Sequence, residues 1–147
     1  MMDRVKRTID LHKNNGLNCS QAILTAFGEK YQLDPDMALI LGRPWGAGIG
    51  YQGLTCGYLT GAVIAMSLAL DHEDEGKSRK DLSRNIRILF NRFQERYGTT
   101  RCKELLGADI ATEEGRTKIG EEKLVAKHCH SEEGIGRFVA GLLAELI

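Results

Sequence analysis

From Leu54 to Leu70 the chain runs for seventeen residues without a charge. Such a segment belongs either in a lipid bilayer or in the middle of a packed protein. Seventeen residues is the lower edge for crossing a hydrocarbon core, and Thr55, Thr60 and Ser67 interrupt the run. No basic flank follows, because the next turn reads Asp71-His72-Glu73-Asp74-Glu75. The expectation is therefore no membrane span, but a helix buried on all sides. Gly53, Gly57, Gly61, Ala65 and Ala69 recur every four residues and form a smooth ridge for close helix approach. The C-terminal helix, where Gly136, Ala140 and Ala144 repeat the spacing, is the expected partner. A second copy of the same helix, in a homodimer, competes with it.

The surrounding periodicity is helical. Val5, Ile9 and His12 share a face from Asp3 to Asn15, and Gly16 stops that helix. Asn18 can cap a second helix carrying Cys19, Ala22, Ile23, Ala26 and Phe27 on one stripe. Asp34-Pro35 opens a third, which runs to Leu41, and Pro44 breaks the chain before a glycine loop over 42–53. Ser78 to Tyr97 is strongly amphipathic: Leu82, Ile86, Leu89, Phe90, Phe93 and Tyr97 line one face. Arg79, Lys80, Arg84, Arg87, Arg92 and Arg96 line the other, which reads as a solvated face. Thr99-Thr100 can cap a short helix over 101–106 that ends at Gly107, and a last helix covers about 133–146. Residues 108–125 are polar and weakly patterned. The expectation is all-α: a single helical domain over 1–147, a bundle of about six to seven helices around the buried Gly/Ala-rich one.

Composition narrows the function. Twenty Lys plus Arg balance twenty Asp plus Glu, so no overall field draws the chain to nucleic acid or anionic lipid. The opening Met1–Arg7 is charged and no apolar signal stretch follows, so a cytoplasmic protein is expected. Gly48-Ile49-Gly50-Tyr51-Gln52-Gly53 matches a dinucleotide-binding string but lies between helices, without the strand that motif needs. Gly76-Lys77-Ser78 resembles the end of a phosphate-binding loop, but the required first glycine is Asp71. Neither carries a function.

The thiols carry the chemistry. Cys19, Cys56, Cys102 and Cys129 contain no Cys-x-x-Cys knuckle, so zinc-ribbon and c-type haem patterns are absent. Cys19, Cys56 and Cys102 each fall in the first turn of an expected helix, just after Asn18, Thr55 or Thr100. Unpaired N–H groups and the positive dipole end favour an anion there, which lowers a thiol's pKa unless apolar burial counteracts it. Cys56, with glycine following it, is expected to have the most accessible sulfur. Cys129 stands between His128 and His130, which are weaker candidate metal ligands. The opposing expectation is a non-catalytic helical dimer or interaction module whose cysteines are packed as small hydrophobes.

Gly16-Leu17-Asn18-Cys19-Ser20-Gln21-Ala22, Cys56-Gly57-Tyr58-Leu59-Thr60-Gly61-Ala62 and Cys102-Lys103-Glu104-Leu105-Leu106-Gly107 together resemble one family. It is the redox-active four-cysteine family named for its C_GCAxxG_C_C pattern, and the resemblance runs from Gly16 to Cys129. It implies a small helical protein that uses its four cysteines in redox chemistry. The four would hold an iron–sulfur cluster or another metal for electron transfer to a redox partner, or act as dithiol and disulfide. Gly57, Tyr58 and Gly61 then fall at cofactor-lining positions. The box usually reads Cys-Gly-Ala-x-x-Gly, and here Tyr58 replaces the alanine. The resemblance leaves two expectations for that side chain: it narrows the pocket, or its hydroxyl meets a sulfur.

Overall fold

A computed structural model describes residues 3–147; of the charged opening, Met1 and Met2 lie outside the described residues. Nine α-helices occur among them, with no strand. They are α1 (Arg4–Asn14), α2 (Cys19–Gly28), α3 (Pro35–Gly42), α4 (Gly57–Ala69) and α5 (Glu75–Tyr97). Then come α6 (Cys102–Leu106), α7 (Glu113–Glu121), α8 (Leu124–His128) and α9 (Ile135–Leu146). Two short 3-10 turns, Glu29–Tyr31 and Arg43–Trp45, join the early helices. The count exceeds the six to seven expected because α7 and α8 form in the polar segment. Ile119 and Leu124 alone are the buried apolar anchors of those two helices, too few to produce a readable stripe.

The uncharged run folds as α4 but starts at Gly57, because the backbone of 53–56 is committed elsewhere. Helix α4 packs against α2, α9 and α5. Gly57, Tyr58, Leu59, Gly61, Ala62, Ala65 and Met66 are buried, whereas Ser67 is exposed and Val63 and Ile64 are half-buried. The expectation of burial on all sides thus holds for only part of its circumference. Two residues of its small-residue ridge, Gly57 and Gly61, meet α2 rather than the expected α9, which instead brings Gly136 against Tyr58. A methyl group on Gly61 would stand 2.5 Å from Ile23 Cγ2 and 2.8 Å from the Ser20 carbonyl oxygen. With α2 seated there, this stretch of ridge is not open to a second copy of the chain. No helix among the described residues is long and apolar enough to cross a membrane.

Two apolar clusters result. The larger unites α1, α2, α4, α5 and α9 around Phe27, Tyr58, Leu89, Phe93 and Leu143. The smaller joins Leu106, Ile119 and Leu124 from α6, α7 and α8. The arginine face of α5 is exposed, as its pattern predicts.

Candidate functional site

The four cysteines mark the seam between these clusters. Cys19 and Cys56 belong to the larger cluster, Cys102 packs on the smaller, and Cys129 packs on both.

Local chemistry sets each one. Asn18 caps α2 through a reciprocal box: its side chain accepts from the Gln21 N–H at 2.8 Å, and the Gln21 side chain accepts from the Asn18 N–H at 3.1 Å. The same two amides donate to α3 and the turn after it, Gln21 to the Leu39 carbonyl and Asn18 to the Arg43 carbonyl. Cys19, the first residue of α2, is therefore locked to α3 as well as to its own helix. Cys56 and Cys102 are set by an isolated antiparallel bridge between Thr55 and Arg101. The Cys56 N–H donates to the Thr100 carbonyl at 2.8 Å and the Cys102 N–H to the Leu54 carbonyl at 2.6 Å. Alternation along extended chain puts both cysteines on the face opposite Thr55 and Arg101. Thr55 therefore does not cap α4; Cys56 itself holds the cap position, and its side chain makes no capping bond. Cys129 is the C-cap of α8, and its carbonyl accepts the Gly136 N–H of α9 at 2.9 Å.

Cys19, Cys102 and Cys129 line one cavity of about 250 Å³ with His12, Leu106, Ile110 and Val125. Ala47 and Tyr51 form part of its rim. That rim is a run of five left-handed residues, Ala47 to Tyr51, with φ between 51° and 72°. Glycine is required at Gly48, where a side chain would strike the Leu54 amide and the Cys102 Cβ. Each non-glycine residue in this conformation costs roughly 1–2 kcal/mol, so backbone strain is concentrated beside the cysteines.

The electrostatics reverse the expectation of ready-made thiolates. Burial pushes up the pKa of all four thiols, Cys102 to about 12 and Cys56 well above its ordinary value. Mutual repulsion adds to this. Cys56 would feel a negative charge on Cys19, Cys129 or Cys102, and Cys129 one on Cys19 or Cys102. Around Cys19 the backbone amides of Ala47, Ser20 and Gly57 favour the anion, but burial outweighs them. Backbone amides favour the Cys19 and Cys56 anions, and desolvation is larger.

Cys56, expected to be the accessible sulfur, is instead the buried one of the four, at 6 % exposure. Gly57 does border the site: a side chain there would collide with the Cys19 sulfur. Gly61 belongs to the α2–α4 contact. Tyr58 is fully buried, and its hydroxyl pairs with His12 Nδ1 at 2.5 Å, not with a sulfur. His130 stacks edge-on to His12 with ring centres 5.0 Å apart. His128, the last residue of α8, is not among the cavity-lining residues. The sequence puts His12 on a packing face, and the signal of a further role is a lone imidazole on an otherwise apolar stripe. Among the described residues, no group of three or more His, Cys, Asp or Glu side chains is arranged to hold a metal ion.

An all-helical protein with four cysteines gathered at one seam is the class these features define. The chain matches the family described as "Putative redox-active protein (C_GCAxxG_C_C)" over residues 17–140, and it belongs to that family. No curated protein and no solved structure matches it.

Proposed function

We propose that the cysteine seam is an electron-handling centre that holds an iron–sulfur cluster through Cys19, Cys56, Cys102 and Cys129. The observation that carries this reading is that Cys19, Cys102 and Cys129, from distant chain segments, line one largely apolar cavity, with buried Cys56 near enough to feel charge on each of them. Thiolates are the soft donors that thiophilic iron prefers. A lone zinc ion needs sulfurs at about 2.3 Å from a common centre, and the present arrangement does not offer that grouping. A cluster spaces its ligands more widely, since iron and sulfide lie between them, and it can take one thiolate from each of four separate chain segments. When bound, such a cluster supplies a one-electron couple.

The chain's own residues supply the rest. Mutual repulsion makes four neighbouring thiolates costly on their own, so cation binding and loss of the thiol protons are coupled. The amides of Ala47, Ser20 and Gly57 favour negative charge on the Cys19 sulfur. Leu106, Ile110 and Val125 limit water around the cavity. The test is protein purified without oxygen, assayed for brown colour, iron and acid-labile sulfide. Iron and sulfide that are lost when Cys19 or Cys129 becomes serine support the reading; metal-free protein with four reduced thiols overturns it.

A second reading rests on one specific observation. Cys56 and Cys102 share one face of the Thr55–Arg101 bridge as diagonal neighbours, Cys56 opposite Thr100 and Cys102 opposite Leu54, so a reversible disulfide between them forms only if the backbone closes a separation of about 7–8 Å. Mass-spectrometric recovery of a Cys56–Cys102 cross-linked peptide from colourless, air-oxidised protein would favour it.

A further inference from the structure

We propose that His12, steered by Tyr58, is a fifth functional member of the cysteine site and presents its Nε2–H to a sulfur at the cavity as a hydrogen-bond donor. The inference rests on the seam being the redox centre proposed above, but its geometric part stands on its own. His12 lines the same cavity as Cys19, Cys102 and Cys129, although it is distant from all but Cys19 in the sequence. Its Nδ1 is engaged by the Tyr58 hydroxyl, so Nε2 is the ring nitrogen left free. Among the described residues it makes no hydrogen bond to a sulfur, and the bond proposed is one formed when a cavity sulfur carries charge.

Hydrogen-bond logic fixes the tautomer. Tyr58 is fully buried, and His12 is the only partner of its hydroxyl among the described residues. If Nδ1 carried the proton, the buried Tyr58 O–H would have no acceptor, which is the costlier arrangement. The Tyr58 O–H therefore donates to Nδ1, and the proton of the neutral ring sits on Nε2. Burial, with the neighbouring His130 charge, lowers the His12 pKa to about 4, consistent with a neutral donor.

Tyr58 is held for this task by a second accommodation. A side chain on Gly136 would stand 2.5 Å from Tyr58 Cζ and 2.6 Å from its Oη, so the first turn of α9 is cleared for the phenol. Tyr58 is thus a positioning residue acting through His12.

An N–H aimed at sulfur stabilises whichever redox state carries more negative charge on that sulfur, the reduced one. The sign is the same for a cluster and for a dithiol. One charge-assisted hydrogen bond changes the balance by about tenfold, which corresponds to about 59 mV for a one-electron couple and about 30 mV for a two-electron couple.

Two measurements test this. In metal-free protein labelled with ¹⁵N-histidine, nitrogen shifts report the tautomer without any cofactor. His12 is expected with Nε2 protonated in the native chain and as a mixture in Tyr58→Phe, a substitution that keeps the ring and its packing. A native ring protonated on Nδ1, or a tautomer that ignores Tyr58→Phe, overturns the inference even if iron is present. The redox titration is then made on the couple the protein has, cluster or dithiol. Tyr58→Phe and His12→Leu should each lower the midpoint potential, with the double variant no lower than His12→Leu alone. An unchanged potential in Tyr58→Phe, or additive effects, overturns the proposal. Lack of iron alone would fail the cluster reading and leave both tests to decide this one.

Discussion

The sulfur of Cys19 occupies the space that a side chain at Gly57 would need. The first residue of α2 and the first residue of α4 thus meet at a single sulfur, and their contact leaves no room for a methyl group. Gly57→Ala should force Cys19 out of place and overpack the α2–α4 junction. Helix propensity gains up to about 1 kcal/mol from the change, while overpacking costs about 1–3 kcal/mol. The expected outcome is net destabilisation in urea together with loss of bound iron in anaerobic preparations. Full iron content in Gly57→Ala would separate Cys19 from the cofactor site.

The four thiols should react slowly. In metal-free protein near neutral pH, iodoacetamide should label every cysteine more slowly than free cysteine, because burial keeps the thiols protonated. Cys56 should be slowest, being both the most buried and opposed by charge on the other three. Site-resolved mass spectrometry, with a denatured control in which the four rates converge, measures this directly. Rapid modification of Cys56 in folded protein would contradict its place in the core.

Stability should fall on both sides of neutrality. His12 has a folded pKa near 4 against an ordinary 6.5, so between those values the unfolded chain binds the proton and the folded one resists it. Stability from this group is intact above pH 6.5 and is lost as pH drops towards 4, by up to about 3 kcal/mol. Cys102 shifts the other way, to about 12, so its contribution is intact below about pH 9 and is lost as pH rises towards 12. Urea midpoints of metal-free protein across pH 4–10 check both limbs. His12→Leu should flatten the acid limb and leave the alkaline one.

Much of this fold is visible in local pattern, and the failures share a cause. Asn18 as a cap, Asp34-Pro35 as a helix start, Gly107 as a stop and the α5 stripe all follow from groups close in sequence, and all form. The family resemblance likewise followed from short strings around Cys19, Cys56 and Cys102. What failed needed knowledge of distant neighbours. The start of α2 supplies Cys19 with its own amide and that of Ser20, but Ala47 and Gly57, from distant segments, add theirs, and desolvation by what packs over the sulfur decides the net sign. The small-residue ridge was real, but spacing alone does not choose between α2 and α9 as its partner. Residues 53–56 are too short a stretch for a period-two pattern to announce their pairing with 100–103. His12 was hidden because its partner, Tyr58, lies 46 residues away.

The seam itself makes the last prediction. Helices α6, α7 and α8 share a small cluster of three buried residues, Leu106, Ile119 and Leu124, which contribute roughly 5–9 kcal/mol at about 1.5–3 kcal/mol per buried side chain, against twenty buried residues in the larger cluster. Their ties to the rest of the chain include the Thr55–Arg101 bridge and Cys129, which packs on both clusters. A segment so lightly held should open locally well before the chain unfolds globally. A ligand bound at once by Cys19 and Cys56 on one side and by Cys102 and Cys129 on the other would tie the two bodies together, and it stabilises only the closed form. Hydrogen exchange should therefore show weak protection of 113–128 in metal-free protein, stronger protection after anaerobic iron and sulfide loading, and little change in α2 and α4. Cys129→Ser should abolish the gain. Equal protection of 113–128 in both states would mean that the cysteines do not bridge the seam.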